Sequence, residues 1–581
     1  MPIFEKYAKL STNQFSECEI MDYKRYIAER LKIEGMSVDA LAETIILPPN
    51  TEMGDYALPC FKFAKLFRKS PVLIAEAWKE SYPVDDVIGS VEAVNGYLNF
   101  KVNRKALAKT TLEAIEREGD FYGSCNEGTG KTICIDYSSV NIAKPFHIGH
   151  LSTTVIGGAL YRAYRFFGYR AVGINHLGDY GTQFGKLIAA FKHWGNREEI
   201  EKGGIRAIND LYVRFHREAE EHPELEEEAR SYFKFIEEGD PECNAIFEWF
   251  KEITMRYVDE IYKMLDIHFD SYAGERFYTD KMEPVVAELK EKGLLVESQG
   301  AQIVNLDEYH MPPCIILRSD GASLYATRDM AAAIYRKKTY DFTKCLYVVA
   351  YQQNLHFKQF FKVLELMGKE WAKDLVHVAY GMVSLEEGAM STRKGNMVFL
   401  EDVIHRCIEK AQTIIEEKNA ALEHKEEVAK VVGTGAVIFS ALYNNKIKDI
   451  VFSYDKVLSF EGETSVYVQY TCARANSVLQ KAGALPQSFD IPELSMEEFE
   501  LVKALSSFRQ AVSDCLEKYE PCYIARYAVD VAQKFNKFYF DYKILSETGD
   551  TRAFRLALTK ATLQVLKNAF SLLGIGIPEK M

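Results

Sequence analysis

Between Thr132 and Leu385, short β-branched apolar runs alternate with amphipathic stretches, and no other feature of the 581-residue chain restricts its fold as much. "TICIDYS" and "YRAVGINHLG" read as strands. "HIGHLSTTVIGGALYRAYRFFG", ended by Gly168, and "GTQFGKLIAAFKHWG" read as helices. After a long polar helical stretch from about Asn196 to Leu295, the alternation resumes with the strands "AQIVNL" and "CIILRS" and the helix "ATRDMAAAIYRKK". The strand "KCLYVVA", the helix "NLHFKQFFKVLELMG" and the strand "LVHVAYGMVSL" follow. Strands separated by helices are parallel βαβ units. The pattern predicts one doubly wound, Rossmann-like sheet over 123–400, interrupted by a helical insertion at about 196–295.

The flanks read differently. Residues 1–122 form an α+β domain, with a helix through "MDYKRYIAERLKIEG" and short strands "ETIILPP" and "GYLNFKVN" either side of a helical stretch. "GSCNEGTG", Gly123 to Gly130, is a turn-rich linker. From about Asp402 apolar residues recur at i, i+3 and i+4, predicting a helical connector over 401–430 and an all-helical domain over 431–581.

Composition removes several classes of function. No apolar run approaches the roughly 18 residues of a membrane span, and "MPIFEKYAKLSTNQ" lacks the apolar core of a signal peptide. The 11 cysteines include no CxxC pair, which argues against zinc of the usual spacing and against a disulfide framework. A reducing cytoplasm is the simplest home. The net charge of −13 speaks against a nucleic-acid partner. Its distribution weakens that objection, because 431–581 holds 17 Lys+Arg against 17 Asp+Glu. The acid excess lies upstream, notably from Glu218 to Glu242, as a solvated helical face.

Two motifs carry chemistry. "NIAKPFHIGH", Asn141 to His150, lies at a strand-to-helix junction, where doubly wound sheets bind ligands and helix N-termini hold phosphates. His147 and His150 can donate hydrogen bonds to phosphate oxygens, and Gly149 removes a side chain where a flat base could approach the backbone. A solvated first helical turn is the plain alternative; no third metal ligand has the spacing for zinc. "AMSTRKGN", Ala389 to Asn396, follows a predicted strand about 240 residues downstream, and its basic loop could close over a triphosphate. Alone it would be a surface turn.

Taken together and in this order, the two motifs resemble the HIGH and KMSKS signatures of class I aminoacyl-tRNA synthetases. Longer stretches are similar to the arginyl-tRNA synthetases in particular: "DYSSVNIAKPFHIGHL", "GINHLGDYGTQFGKL", "SDGASLYATRDMAAAIYR", "QQNLHFKQFF", "MSTRKGN", "LSFEGETSVYVQYTCAR" and the terminal "PEKM". The resemblance covers nearly the whole chain and is least informative in the acidic insertion. The chain departs from it at Val140, where the family usually has proline, and at Thr392, where the second signature lysine stands.

The resemblance implies an arginine–tRNA ligase that is a cytoplasmic monomer and uses ATP with Mg2+, without bound zinc. Arginine is activated, with tRNA-Arg bound, and passed to the tRNA 3′ end. For the arginine guanidinium it points to Asp329, with Tyr325 and Gln353 as hydrogen-bond partners; Tyr325 and Asp329 are i, i+4 and can face one cavity. An ion pair of Asp329 with Arg328 or Arg336 on the helix surface is the alternative. The α-amino group falls to Asn141 and Asp136, with Ser139 and His150 nearby. ATP falls to His147, Gly149, His150, Met382, Val383, Met390 and His356. Ser391, Arg393 and Lys394 complete the catalytic loop, and Lys144 stands in for the lysine missing at Thr392. Tyr97 and Asn99 match the grip on a D-loop base, and Tyr539 and Met581 lie near the anticodon. The rivals are a sister synthetase for cysteine, glutamate or glutamine, a tRNA-binding paralogue without catalysis, and a small-molecule adenylyltransferase.

Overall fold

A computed structural model describes residues 23–31, 33, 35–48, 53–318, 325–385, 398–484 and 488–581. Near the N-terminus, β1 (Tyr56–Pro59), β2 (Ile88–Val94) and β3 (Tyr97–Val102) pair antiparallel in the order β1–β3–β2. Asn95 and Gly96, both at positive φ (51° and 80°), turn β2 into β3 as a two-residue hairpin. The strand expected at "ETIILPP" is not there. Val38–Thr44 is a helix capped by Ser37, and only Ile46 bridges to the sheet.

The main sheet begins with β4 (Thr132–Asp136) and β5 (Arg170–Ile174), which pair in parallel. Between them the helix Leu151–Phe166 is buried at nearly every position. The insertion follows as the helices Arg197–Glu221, Glu224–Glu237 and Pro241–Met264. It returns to the sheet well before Leu295: the N–H groups of Asp270 and Ser271 donate to Gly173 O (2.8 and 3.1 Å), and Ser271 bridges Ile174.

The next strands correct the expectation of a single sheet. β6 (Leu295–Ser298), β7 (Ala301–Val304) and β8 (Cys314–Leu317) form a separate antiparallel meander. The cause is local. Gln299 and Gly300 take positive φ (51° and 79°), the backbone of a tight hairpin, and a hairpin forces antiparallel pairing.

The helix Tyr325–Tyr340 leads back to β9 (Lys344–Ala350), and the helix Asn354–Leu366 leads to β10 (Leu375–Tyr380). The parallel order is β10–β9–β4–β5. All five residues of β4 are buried, and they divide between two cores. Ile133 and Ile135 pack toward the helix Leu151–Phe166, whereas Cys134 packs toward the helices Tyr325–Tyr340 and Asn354–Leu366. Burial on both faces is why the strands read as unbroken apolar runs.

"LVHVAYGMVSL" divides at Gly381. Its second part, β11 (Val383–Leu385), pairs in parallel with β12 (Ile450–Phe452), the one strand among the described residues beyond Leu400. The rest of that region is helical, from Leu400–Lys418 to Gly549–Leu573. No helix among the described residues is long and apolar enough to cross a membrane. The N-terminal unit rests on the C-terminal helices: Lys560 pairs with Glu116 (2.7 Å), and Asn568 Nδ2 donates to Gly119 O (2.9 Å).

Candidate active site

The order β10–β9–β4–β5 reverses direction between β4 and β9. Chain crossovers leave in opposite senses there, opening a crevice at the strands' C-terminal ends. The residues singled out at the ends of β4 and β9 converge on that crevice.

On the β4 side the chain passes through a constrained loop. Ser138, Ser139 and Ala143 all have positive φ (68°, 49° and 61°), conformations that cost non-glycine residues energy and persist only when neighbours impose them. The neighbours are specific. Ser138 N–H donates to Thr153 Oγ1 (3.0 Å), Ser138 Oγ meets Tyr262 Oη (2.8 Å), and Ala143 N–H donates to Thr254 Oγ1 (3.0 Å). Thr254 and Tyr262 lie on the last insertion helix, so the insertion shapes the site rather than decorating it. Asn141 bridges Gly178, where a Cβ would sit 2.3 Å from Asn141 Oδ1.

The two histidines do not begin as successive turns of one helix. Ile148–His150 is a single 3-10 turn with a capping box at its N-terminal end. Gly149 N–H donates to His147 Nδ1 (3.1 Å) and His147 N–H donates to His150 Nδ1 (3.2 Å), with the ring centroids 3.9 Å apart. A ring nitrogen that accepts carries no proton, so both neutral imidazoles hold theirs on Nε2. Burial, reinforced by the nearby Lys144 charge, pulls the His147 pKa down to about 4. Burial and His147 hold His150 well below its ordinary value. Two neutral Nε2–H donors stand side by side at the start of a helix.

The surroundings of Gly149 are filled by protein. A Cβ there would meet His147 Cε1 and Nδ1 at 2.8 Å, so the space a side chain would need is taken by the His147 ring.

The second motif, including Met390, Ser391, Thr392, Arg393 and Lys394, lies outside the described residues. Both its flanks are fixed on the site. Upstream, β11 is held by β12. Downstream, Ile148 N–H donates to Val398 O (3.2 Å), Leu400 N–H donates to Phe146 O (2.9 Å), and His147 bridges Phe399. At Met382 the backbone is already engaged, since its N–H donates to Asp449 Oδ1 (2.7 Å) and its carbonyl accepts from Ile450 N–H (2.8 Å). Val383 is buried.

Across the crevice, carboxylates cluster. Asp136 is bound on both oxygens, by Ser139 Oγ (2.7 Å) and by Arg336 Nη2 (2.7 Å), with Arg336 only 1% exposed. Both Asp136 oxygens are therefore engaged by protein groups. Glu275 faces Arg328 (3.5 Å), and Asp179 faces Lys251 (3.0 Å). Asp329 pairs with neither Arg328 nor Arg336. Its Oδ2 lies 2.6 Å from His356 Nε2 and its Oδ1 lies 3.9 Å from His176 Nε2. Burial works to raise the Asp329 carboxyl, but His356, then His176 and Arg328, outweigh it and hold the pKa below the ordinary value. Burial pushes Glu275 up to about 7, against Arg328 and with Asp329 and Asp179 adding to the rise.

His356, expected beside the nucleotide, is therefore placed against Asp329. Gln353 is exposed at the N-terminal cap of the same helix. Tyr325 is 65% exposed, and the Arg328 guanidinium lies 5.3 Å from its ring centroid. Glu275, His176 and Arg336 were not foreseen. Their pairings, Glu275 with Arg328, His176 with Asp329 and Arg336 with Asp136, join residues on separate elements far apart in sequence, which no local pattern signals.

The remaining residues lie on other elements, the N-terminal sheet and the C-terminal helices. Tyr97 is exposed and meets Phe61 edge-on (5.3 Å), whereas Asn99 is buried in the central strand of its sheet. Beside Phe61, the exposed Lys62, Lys65, Arg68 and Lys69 form a run of cations. Tyr539 is partly exposed beneath Arg474 (5.1 Å), which also lies over Tyr470 (5.0 Å). Met581 packs on the cluster containing Ile415 and Leu422, and its carbonyl accepts from Asn419 Nδ2 (3.4 Å). Among the described residues no group of three or more His, Cys, Asp or Glu could hold a metal ion.

Comparison with known proteins agrees along nearly the whole chain. Residues 113–454 match the family model for tRNA synthetases class I (R), catalytic domain. Residues 468–581 match the DALR anticodon binding domain, and 21–102 match the arginyl tRNA synthetase N terminal domain. An arginine–tRNA ligase of Alkaliphilus metalliredigens is 52% identical over 564 residues, covering 96% of this chain and 100% of that protein. One from Clostridium botulinum is also 52% identical over 564 residues, covering 97% and 100%. The solved arginyl-tRNA synthetase of Thermus thermophilus superimposes with a TM-score of 0.82 at 26% identity, covering 96% of this chain and 99% of that one. That of Plasmodium falciparum shares the fold, with a TM-score of 0.78 at 22% identity, covering 96% and 98%.

Proposed function

Because the chain belongs to the arginyl-tRNA synthetases, whose reaction is the ATP-driven charging of tRNA with arginine, we propose a division of labour within the crevice. Asp329 takes the substrate guanidinium. One observation supports this most strongly: in a cluster of four carboxylates, Asp136, Asp179 and Glu275 each face a Lys or Arg, while Asp329 faces imidazoles. A cationic side chain entering the crevice meets its unmatched negative charge there. Glu275, Tyr325 and Gln353 border the same pocket, and Asn141 with Ser139 receives the α-amino group.

His147 and His150 donate their Nε2–H groups to the triphosphate, with Lys144 adding positive charge, and Gly149 acts by making room for His147. ATP brings Mg2+ with it. Met382, Val383 and Met390 border the adenine, and Ser391, Arg393 and Lys394 close over the phosphates. An arginine carboxylate oxygen attacks the α-phosphorus, pyrophosphate leaves, and no protein atom is bonded covalently. The enzyme aligns the reactants and stabilises developing phosphate charge. The terminal ribose hydroxyl of tRNA then attacks the adenylate carbonyl and AMP leaves.

The tRNA binds at both ends of the molecule. Tyr97, with Asn99 behind it, meets a D-loop base, and the cations from Lys62 to Lys69 lie beside it for phosphates. Tyr539 and Met581 serve the anticodon end. Bound tRNA is needed for activation, and the enzyme works as a cytoplasmic monomer, with 123–400 as catalytic core, 401–430 as connector and 431–581 as anticodon domain. Asp329→Ala tests the central assignment. It should abolish arginine charging while far-UV dichroism and the unfolding midpoint stay close to wild type. Near-normal charging would remove Asp329 from the pocket.

A further inference from the structure

A carboxylate recognises a planar guanidinium best when both oxygens face it, so the plane of the carboxylate has to be fixed to within roughly 10–20°. Asp329 lies one turn into its helix with its side chain 26% exposed, and two rotatable bonds separate it from the backbone. The substrate cannot orient it before binding.

We propose that His356, assisted by His176, is a positioning residue that presets the Asp329 carboxylate for arginine. This rests on the reading that Asp329 takes the guanidinium. Each Asp329 oxygen has an imidazole of its own. His356 Nε2 lies 2.6 Å from Oδ2, the length of a charge-assisted hydrogen bond. The His356 ring is itself held, 5.4 Å from Phe357 and 5.3 Å from Phe360. On the other oxygen, His176 Nε2 stands at 3.9 Å, beyond hydrogen-bond length, where it limits rotation and offers a dipole.

The tautomer of His176 follows from its other neighbour. Arg336 Nη2 is 3.4 Å from His176 Nδ1, and a guanidinium can only donate, so Nδ1 accepts and the proton stays on the Nε2 that faces Asp329. The backbone beside His176 is pinned by Asn175 N–H to Ser271 O and Gly178 N–H to Val140 O, both 2.9 Å. The chain Asp136–Arg336–His176–Asp329–His356 thus joins the C-terminal ends of β4, β5 and β9 around one carboxylate. Arg328, the preceding residue on the same helix, and Glu275, on the 3-10 turn Glu275–Lys281, are further charged groups that act on Asp329.

The test is steady-state aminoacylation by the full-length enzyme, with arginine and ATP varied separately for His356→Leu, His356→Gln and Asp329→Asn. Loss of a charged hydrogen bond predicts that His356→Leu raises the arginine KM about tenfold to a hundredfold. The ATP KM should stay within about twofold. His356→Gln, whose amide nitrogen can donate to the same oxygen, should recover most of the loss. An unchanged arginine KM in His356→Leu, with a raised one in Asp329→Asn, overturns the positioning role and leaves the pocket assignment standing. An unchanged value in Asp329→Asn removes the pocket assignment and the proposal with it. A rise confined to the ATP KM would place His356 on the nucleotide, and equal losses in the Leu and Gln variants would reduce it to packing; either result overturns the proposal.

Discussion

Replacing Gly149 by alanine separates two roles that its sequence context cannot. The added methyl would lie 2.8 Å from two atoms of the His147 ring, well inside the roughly 3.5 Å at which carbon atoms pack. The ring has to swing away, because Gly149 is on a capped 3-10 turn whose backbone is held from both sides. Its bond from Gly149 N–H is then lost, a capping interaction worth about 1 kcal/mol, so the fold should survive. Catalysis should suffer more. Moving one preorganised donor off the developing phosphate charge costs about 10²–10³-fold in kcat. The assay is pre-steady-state arginyl-adenylate formation with tRNA present, in Gly149→Ala, His147→Ala and the double variant. If Gly149 exists to accommodate His147, the double variant should be no slower than His147→Ala alone. Losses that multiply in the double variant, with a raised ATP KM, would refute this reasoning and return Gly149 to the base.

Three further outcomes follow from the same geometry. Lys144, whose charge acts on both histidines, should lose about 10²-fold in kcat as Lys144→Met, with partial recovery on adding Thr392→Lys; wild-type rates in Lys144→Met would contradict it. His147 has its folded pKa lowered from 6.5 to about 4, so between those values the unfolded chain binds a proton that the folded chain refuses. Stability should therefore fall as pH drops through that window, and urea titrations of His147→Asn should show a shallower fall. Charge reversal of Lys65 and Arg68 should raise the tRNA KM and flatten its salt dependence by about one unit of slope per lost phosphate contact, while Tyr97→Ala should raise the tRNA KM at every salt concentration.

How far the sequence could be read depended on the range of the interactions. The main sheet was legible because burial on both faces makes β4 and β9 continuous apolar runs. The meander β6–β8 was misassigned because "SQGA" hides a hairpin turn whose consequence, antiparallel pairing, overrides the apparent βα rhythm. The motif histidines were found, but their mutual capping was not, since it needs a 3-10 turn that helical periodicity does not describe. Arg336 sits in "YRKK" among residues that look solvent-facing, and its burial against Asp136, 200 positions earlier, leaves no local trace. Glu275 and His176 were missed for the same reason. The carboxylate cluster is a product of tertiary structure, and only family resemblance pointed to Asp329 within it.

The most direct test of the central claim, that Asp329 supplies the unmatched charge that selects arginine, is the discrimination between arginine and citrulline. Citrulline has nearly the same shape but carries a neutral urea in place of the guanidinium. The ratio of kcat/KM values for aminoacylation should be about 10⁴ or more in the wild type, the scale reached when a site built for a polar contact is left unpaired. In Asp329→Asn it should collapse to within about tenfold, mostly through loss of arginine activity. An Asp329→Asn enzyme that keeps the wild-type ratio would contradict the account, because the charge that selects arginine would then reside elsewhere in the crevice.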